Sequence, residues 1–274
     1  MSGRVLVPHS ARVSLMPGST VTHDLSDYLQ TAVALAEEAG QLALSHYQRG
    51  VAVERKADRS PVTVADRSAE QLIRKRLAAK YAGHAVLGEE FGADDSTASH
   101  RWIVDPIDGT RSFVHGVPLF GVLLALEIDG VVAVGVCHLP ALYETLAAAR
   151  GLGCTWNGRP SRVSRTVRLE DATIVYSDSR SMRRRLGEGW ADLQDRAHEV
   201  RGWGDCYGHC LVATGRADVM LDAVMNPWDC AALVPILDES RGRFTDWRGQ
   251  PRIDGGDAVS TNGALHDAVL DLLR

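Results

Sequence analysis

The segment Trp102-Ile103-Val104-Asp105-Pro106-Ile107-Asp108-Gly109-Thr110-Arg111-Ser112-Phe113 constrains the fold more than any other stretch of the chain. Its opening run, Trp102 to Val104, is short, partly β-branched and uninterrupted, which suits a buried strand better than a helix. Asp105 therefore stands at a strand end. Pro106 has no N–H to give a ladder, so the chain is expected to leave the sheet there and carry Asp108 round a turn beside Asp105. Gly109 and Thr110 follow at the expected start of a short helix, where free backbone N–H groups and the dipole favour an anion. A cation site then lies against an anion site, as a phosphate ester with bound metal requires. Asp-Gly is also a common turn pair, so a plain strand-to-turn reading stands beside this one.

Further carboxylates tip the balance. Leu87-Gly88-Glu89-Glu90-Phe91-Gly92 repeats the form of apolar approach, glycine and paired acids, and Pro227-Trp228-Asp229 sets another acid at the mouth of an apolar segment. Glu89, Asp105, Asp108 and Asp229, with Glu90 and Asp66 as neighbours, would crowd up to six negative groups into one pocket. Without cations they repel or take up protons. Oxygen-only ligands at this density select hard cations, Mg²⁺ above all where waters and a substrate phosphate complete the coordination. Cys206-Tyr207-Gly208-His209-Cys210 is at most half a zinc site. Gly204-Asp205-Cys206-Tyr207-Gly208 matches a nucleophile elbow with cysteine for serine, and Asp229 and His266 follow in hydrolase order. That rival leaves Glu89, Asp105 and Asp108 unexplained and puts His266 inside an expected helix. No Walker-type phosphate loop occurs.

At 274 residues, 45% hydrophobic and 24% charged, the chain can bury a substantial core as one large or two small domains. A net charge of −5 without a dense basic block beyond Arg183-Arg184-Arg185 disfavours nucleic acid as a partner. That triplet reads as solvated surface. Five cysteines without a CxxC pair point to reduced thiols and a cytoplasmic location. No apolar stretch reaches the length of a signal-peptide core or a membrane span, so no membrane partner is expected. Residues 1–22 read as a disordered extension, with Met16 as an alternative start, and 23–274 as a single catalytic domain.

Along the chain, Asp24 can cap a helix with Leu25, Leu29, Ala32, Ala36, Ala39, Ala43 and Tyr47 along one side. Residues 51–54 read as a strand and 56–61 as a loop. A second helix then starts near Asp66, which sits where a simple N-cap would. Strands over 117–127 and 131–138 meet at Asp129-Gly130, a strong hairpin signal, and 143–149 continues the meander. Later strands are expected over 173–176, 219–222, 243–247 and 258–260. Helices are expected over 208–214 and 264–273, and from Asp229 to Arg241 with a kink at Pro235. The charged stretch 178–192 has no clear period. Helices and strands mix throughout, with hairpins among them, so layered α/β or α+β is expected.

Gly88-Glu89-Glu90, Trp102 to Thr110 and Trp228-Asp229-Cys230-Ala231-Ala232 resemble the three signatures of the inositol monophosphatase superfamily, over a match from Leu25 to the C-terminus. The resemblance implies an αβαβα layered sandwich, Mg²⁺ dependence with two or three ions per active site, and a homodimer. It implies that Glu89 and Asp105 bind one metal with the Ile107 carbonyl, and that Asp105, Asp108 and Asp229 bind another. Asp66 and Thr110, with Glu89, would orient and activate the attacking water, and the Gly109 and Thr110 N–H groups would hold the phosphate. Asp66 is thereby a catalytic candidate as well as a cap.

Arg111-Ser112 departs from the family, where a small or basic residue and then asparagine are usual. Arg201 to Asp218 resembles the histidinol-phosphate phosphatase branch. Asp205 and Asp222, with Asp108 and Asp229, would line the substrate side. Negative charge there suits an ammonium or imidazolium and does nothing for a neutral polyol. The expected substrate is a small phosphorylated metabolite, L-histidinol phosphate first. Inositol monophosphate, fructose bisphosphate and a 3′-phosphoadenylate stand behind it, and a non-catalytic role as a binding partner in transcription or RNA processing is the alternative class.

Overall fold

The computed structural model describes residues 24–273 except 57–60 and 95–96. The extension over 1–22 and most of the loop at 56–61 lie outside the described residues. Asp24 caps α1 (Leu25–His46), accepting the Ser26 and Asp27 N–H groups at 2.7 and 3.1 Å. β1 (Val53–Arg55) pairs antiparallel with β2 (Pro61–Thr63), which runs directly into α2 (Val64–Lys80).

The larger sheet has eight strands among the described residues. They are β3 (Ala85–Gly88), β4 (Gly92–Ala93), β5 (His100–Asp108), β6 (Gly121–Ile128), β7 (Val131–Leu139), β8 (Glu144–Ala149), β9 (Gly153–Trp156) and β10 (Arg159–Pro160). Their order is β10-β9-β8-β7-β6-β5-β3-β4, and α3 (Thr110–Val114) follows β5. The second sheet runs β12-β11-β13-β15-β14, built from β11 (Thr173–Tyr176), β12 (Glu199–Arg201), β13 (Val219–Asp222), β14 (Arg243–Thr245) and β15 (Ala258–Thr261). The remaining helices are α4 (Ser179–Leu186), α5 (Glu188–Arg196), α6 (Asp205–Ala213), α7 (Pro227–Ala231), α8 (Leu233–Glu239) and α9 (His266–Leu272).

Side-chain alternation along β5 and β6 sorts the core into layers. Trp102, Val104, Val122, Leu124 and Leu126 pack with Ala32, Ala36, Ala39, Ile73 and Leu77 of α1 and α2. Ile103, Leu123, Cys137 and Leu139 face the other way, onto α6, α7 and α8, of which α6 and α8 also pack on the second sheet. Met182, Trp190, Leu193, Val269 and Leu270 of α4, α5 and α9 cover that sheet's far face. The result is the expected αβαβα sandwich. Asp105 shares its face with Ile103, so alternation aims it into the middle layer, where α7 brings Asp229.

Several local expectations change. The chain does not leave the sheet at Pro106: β5 continues to Asp108, and its ladder with β6 breaks between Asp105 and Asp108 before resuming at Asp108 and Gly121. Pro106 sits inside this irregularity, where no N–H is required. The strand expected from 117 starts at Gly121. The helix expected from Asp229 to Arg241 is two helices, opening at Pro227 and breaking at Ala232. Pro235 has no N–H for the carbonyl four residues back, which is Ala231 at the end of α7. Residues 178–192 lie mostly in α4 and α5. Arg185 is not merely solvated, since it pairs with Asp257 at 2.5 Å and stacks over Trp247.

The break at Ala232 rests on β7 without an intervening side chain. A Cβ on Gly135 would collide with the Ala232 carbonyl oxygen and lie 2.7 Å from Pro235 Cγ. Gly135→Ala should therefore cost about 1–3 kcal/mol, since backbone on both sides must yield. Urea unfolding should show it as a lower midpoint at unchanged slope.

Candidate active site

Three acids from two elements meet in the middle layer. Asp105 and Asp108 come from the end of β5 and Asp229 from the first turn of α7, and one carboxylate oxygen from each lies within 4.8 Å of the others. Each is held locally. The Asp105 Oδ1 accepts the Ile107 N–H at 3.0 Å, and Asp108 Oδ2 accepts the backbone N–H of Cys206. Asp229 completes a capping box, accepting the Asn226 N–H at 2.7 Å and the Asn226 side-chain amide at 3.2 Å.

The charges oppose one another. Burial first, then Glu89, Asp108 and Asp229, push the Asp105 carboxyl well above the usual carboxylate range. Burial, Asp205 and Asp229 do the same to Asp108, and burial chiefly lifts Asp229 to about 6. Three clustered carboxylates, Asp105 buried and Asp108 and Asp229 half-buried, with raised affinity for a proton also favour another small cation. An all-oxygen donor set of this kind fits a hard divalent ion such as Mg²⁺. A groove of about 790 Å³ between α1 and the β8–β9 end of the large sheet is lined by Glu37, Glu38 and His138 but holds none of this cluster.

Asp66 is not the N-cap of α2. Thr63 is, and Asp66 is the third residue of the helix, closing a capping box through Oδ2 to the Thr63 N–H at 2.8 Å and hydroxyl at 2.6 Å. Its Oδ1 accepts from the Thr110 hydroxyl at 3.3 Å, so one carboxylate both starts α2 and reaches the site. Burial raises its pKa. Thr110 also donates to the Ile107 carbonyl at 2.9 Å. Gly109 adopts φ +79°, and a Cβ there would lie 2.8 Å from the Leu119 carbonyl oxygen and 3.3 Å from Asp205 Oδ2. Glycine is the residue that fits, and the Asp205 carboxylate stands directly beside the Gly109-Thr110 turn.

Asp205 opens α6 in a left-handed conformation, φ +53°, uncommon outside glycine although aspartate tolerates it better than most residues. Its N–H donates to Ser177 Oγ at 2.8 Å, and Ser177 in turn donates to Asp222 Oδ2. Burial raises both acids, Asp222 to about 7, while the Arg111 guanidinium partly offsets the shift at Asp205. Arg111, the departure noted in the sequence, is thus the cation nearest in effect to Asp205. Asp222 reaches Asp205 through Ser177.

Glu89 lies apart from the three-acid group yet acts on Asp105, Asp66 and Asp229 electrostatically. Lys56 bridges it to Glu90 at 2.7 and 2.6 Å, and sequence reasoning left Lys56 in a loop. A signal existed: Lys56 is one of three lysines among 30 basic side chains, in a chain that otherwise uses arginine. Glu70 of α2 was also missed, because a helical acid between apolar positions reads as surface; it has no exposed area.

The cysteine elbow does not form. Cys206 lies buried in the first turn of α6, burial pushes its thiol well up, and His266 is buried between Thr245 and Thr261 hydroxyls at 3.1 and 3.0 Å. The zinc half-site is likewise occupied internally: His209 bonds Ser260 at 2.6 Å and Cys210 lies 3.3 Å from Cys137. All five thiols are free. Among the described residues, no helix is long and apolar enough to cross a membrane.

Comparison with known proteins gives a consistent picture. The inositol monophosphatase family model matches residues 24–273. A histidinol-phosphatase of Chlorobaculum parvum is 48% identical over 86% of this chain and 93% of its own length. One from Mycobacterium tuberculosis is 41% identical over 90% and 98%. Among solved structures, an IMPase of Thermotoga maritima superposes with a TM-score of 0.83 at 32% identity, covering 90% of this chain and 96% of the other. With the carboxylate cluster on a layered sandwich and a family match over nearly its whole length, the chain belongs to the inositol monophosphatase family.

Proposed function

We propose that this protein is a Mg²⁺-dependent phosphomonoesterase that hydrolyses L-histidinol phosphate to L-histidinol and phosphate. The observation that carries the substrate assignment is the Asp205 carboxylate placed beside Gly109, at the edge of the acid cluster. A phosphate held at the Gly109-Thr110 turn puts its alcohol portion within reach of that charge. Histidinol carries an ammonium and an imidazole, and both suit a carboxylate. The similarity to two histidinol-phosphatases supports the same choice.

Asp105, Asp108, Asp229 and Glu89, with the Ile107 carbonyl, would hold the metal, in two or three sites. Bound Mg²⁺ supplies charge neutralisation and Lewis acidity at the phosphoryl group. The chain's own groups supply the rest. Thr110 and Asp66 form a hydroxyl-carboxylate pair that can orient a water and accept its proton, and burial makes Asp66 a stronger base than a free aspartate. The Gly109 and Thr110 N–H groups, at the start of α3, can bind phosphate oxygens. Asp222 fixes Ser177, and Ser177 fixes the start of α6, so Asp222 shapes the leaving-group side through Asp205. We also assign the protein to the cytoplasm, as a homodimer of one catalytic domain over 23–274. A neutral polyol ester such as inositol monophosphate is the competing substrate, and a chelator that fails to stop hydrolysis would remove the metal from the scheme.

Asp205→Asn keeps size and some hydrogen bonding but removes the charge. Loss of one charge-assisted contact should cost about 1.5–3 kcal/mol, roughly ten- to a hundredfold in kcat/KM for histidinol phosphate. Hydrolysis of p-nitrophenyl phosphate, which has no cationic end, should change little. Equal losses on both esters would assign Asp205 to loop support.

Asp108→Asn should abolish turnover yet leave the metal-free protein as stable as before or more so, because asparagine still accepts the Cys206 N–H and no longer brings a disfavoured charge. Melting in chelator measures it, and a clear loss of stability would make Asp108 structural. The same sign governs pH. Burial, with the nearby acids, raises the Asp229 pKa to about 6 in the fold, above that of an exposed aspartate, so the unfolded chain ionises first. Its contribution to metal-free stability should be full below about 4, fall as pH rises, and level off above about 6. Asp229→Asn should flatten that part of the profile. Cys206→Ser should retain most activity, since a thiol that burial keeps protonated takes no part in attack and serine can still hydrogen-bond to Asp108.

A further inference from the structure

α2 carries Asp66, Glu70 and Arg74 four residues apart, along one side of the helix. Asp66 reaches Thr110 in the turn after β5. Glu70, one turn on, reaches the other acid-bearing turn. Its Oε2 accepts the Glu90 N–H at 2.7 Å and its Oε1 accepts the Phe91 N–H at 3.3 Å. Arg74 Nε donates to Oε1 at 2.7 Å, and the same guanidinium bonds Asp94 at 2.7 Å and the Gly92 carbonyl. The Glu89 N–H meanwhile donates to the Val104 carbonyl of β5 at 3.2 Å.

Gly88 completes the clamp. A Cβ there would fall inside the Glu70 carboxylate, so the turn lies flat against it. A fully buried carboxylate carries a desolvation cost of several kcal/mol unless every oxygen is satisfied. An apolar side chain of the same volume would avoid that cost in a plain helix-to-sheet contact. Here it would leave the Glu90 and Phe91 N–H groups without an acceptor. The partners of the buried charge are therefore the backbone of the very turn that presents Glu89 and Glu90.

We propose that Glu70 is a positioning residue for the cation site: it clamps residues 88–92 to α2 so that the Glu89 carboxylate meets Asp105, while Asp66 on the same helix aligns Thr110. The inference rests on the assignment of Glu89 to the metal. α2 thereby acts as a ruler that sets the spacing between the two acidic turns. Glu70 touches neither substrate nor cation itself.

The test is calorimetric titration of Mg²⁺ into chelator-stripped protein, with melting in chelator run alongside, for the wild type, Glu70→Gln, Glu89→Gln and the double variant. Outer groups that aim a ligand typically change metal affinity 10–100-fold when replaced. Glu70→Gln should weaken Mg²⁺ binding by roughly that factor. The double variant should bind no more weakly than Glu89→Gln alone, because Glu70 acts through Glu89. A folded Glu70→Gln protein that binds Mg²⁺ as the wild type does, or losses that add in the double variant, would overturn the proposal. Wild-type affinity in Glu89→Gln would instead overturn the metal assignment beneath it. Should Glu70→Gln not fold, Arg74→Gln releases one side of the carboxylate from a half-buried position. It should weaken Mg²⁺ binding in the same non-additive way, and unchanged affinity there would overturn the proposal equally.

Discussion

Mutual repulsion among Asp105, Asp108 and Asp229 is the constraint around which the middle of the sandwich is built. Carboxylates this close repel one another when all are ionised, and only a shared proton lets Asp105 and Asp229 hydrogen-bond to each other. Each is instead pinned by backbone donors: Ile107 N–H for Asp105, Cys206 N–H for Asp108, Asn226 N–H for Asp229. The elements that supply those donors are a strand end, the start of α6 and the start of α7. Helix N-termini point at the cluster because their free N–H groups and positive dipole ends are the protein's own compensation for negative charge.

Much of this was legible in the sequence because the relevant signals are local. The apolar run from Trp102 marked a buried strand, and alternation along it fixes the side to which Asp105 points. The hairpin at Asp129-Gly130 and the strands at 173–176 and 219–222 appear where turn and β-branched signals place them. Pro106 misled because the rule that proline leaves a ladder has an exception in irregular pairing. The break between α7 and α8 was read as a kink because sequence periodicity persists through it. At the site, the acidic motifs pointed to Glu89, Asp105, Asp108 and Asp229 and the family resemblance to Asp66, and the structure groups Asp105, Asp108 and Asp229. Their supports could not be read in this way. Lys56, Glu70 and Ser177 act across separations of 20 residues or more, and no local pattern announces such contacts.

Asp222 illustrates how tertiary contacts change a residue's meaning. From sequence it was a second negative charge on the substrate side. In the structure one of its oxygens takes the Ser177 hydroxyl, whose own oxygen takes the Asp205 N–H. Gly204 is tied into the same arrangement, since a Cβ there would lie 2.7 Å from Ser177 Oγ. The left-handed φ of Asp205 is then understandable. Strain of about 1 kcal/mol at a non-glycine residue persists where surrounding contacts over-determine the backbone. Here the hydrogen bonds of Ser177 and Asp108 fix the first two N–H groups of α6 in succession.

The two acidic groups differ in how their charge is met, and the difference bears on how the site fills. Glu89 and Glu90 already share the Lys56 ammonium, so a metal ion of the kind proposed at Glu89 would compete with a cation that the protein supplies. Asp105, Asp108 and Asp229 have backbone donors and one another, and their raised proton affinity measures the unmet charge. A divalent cation would therefore gain most among the three aspartates, while at Glu89 it would gain less for having to break the bond to Lys56. Asp105 belongs to both groups, being next to Asp108 and Asp229 and under the field of Glu89.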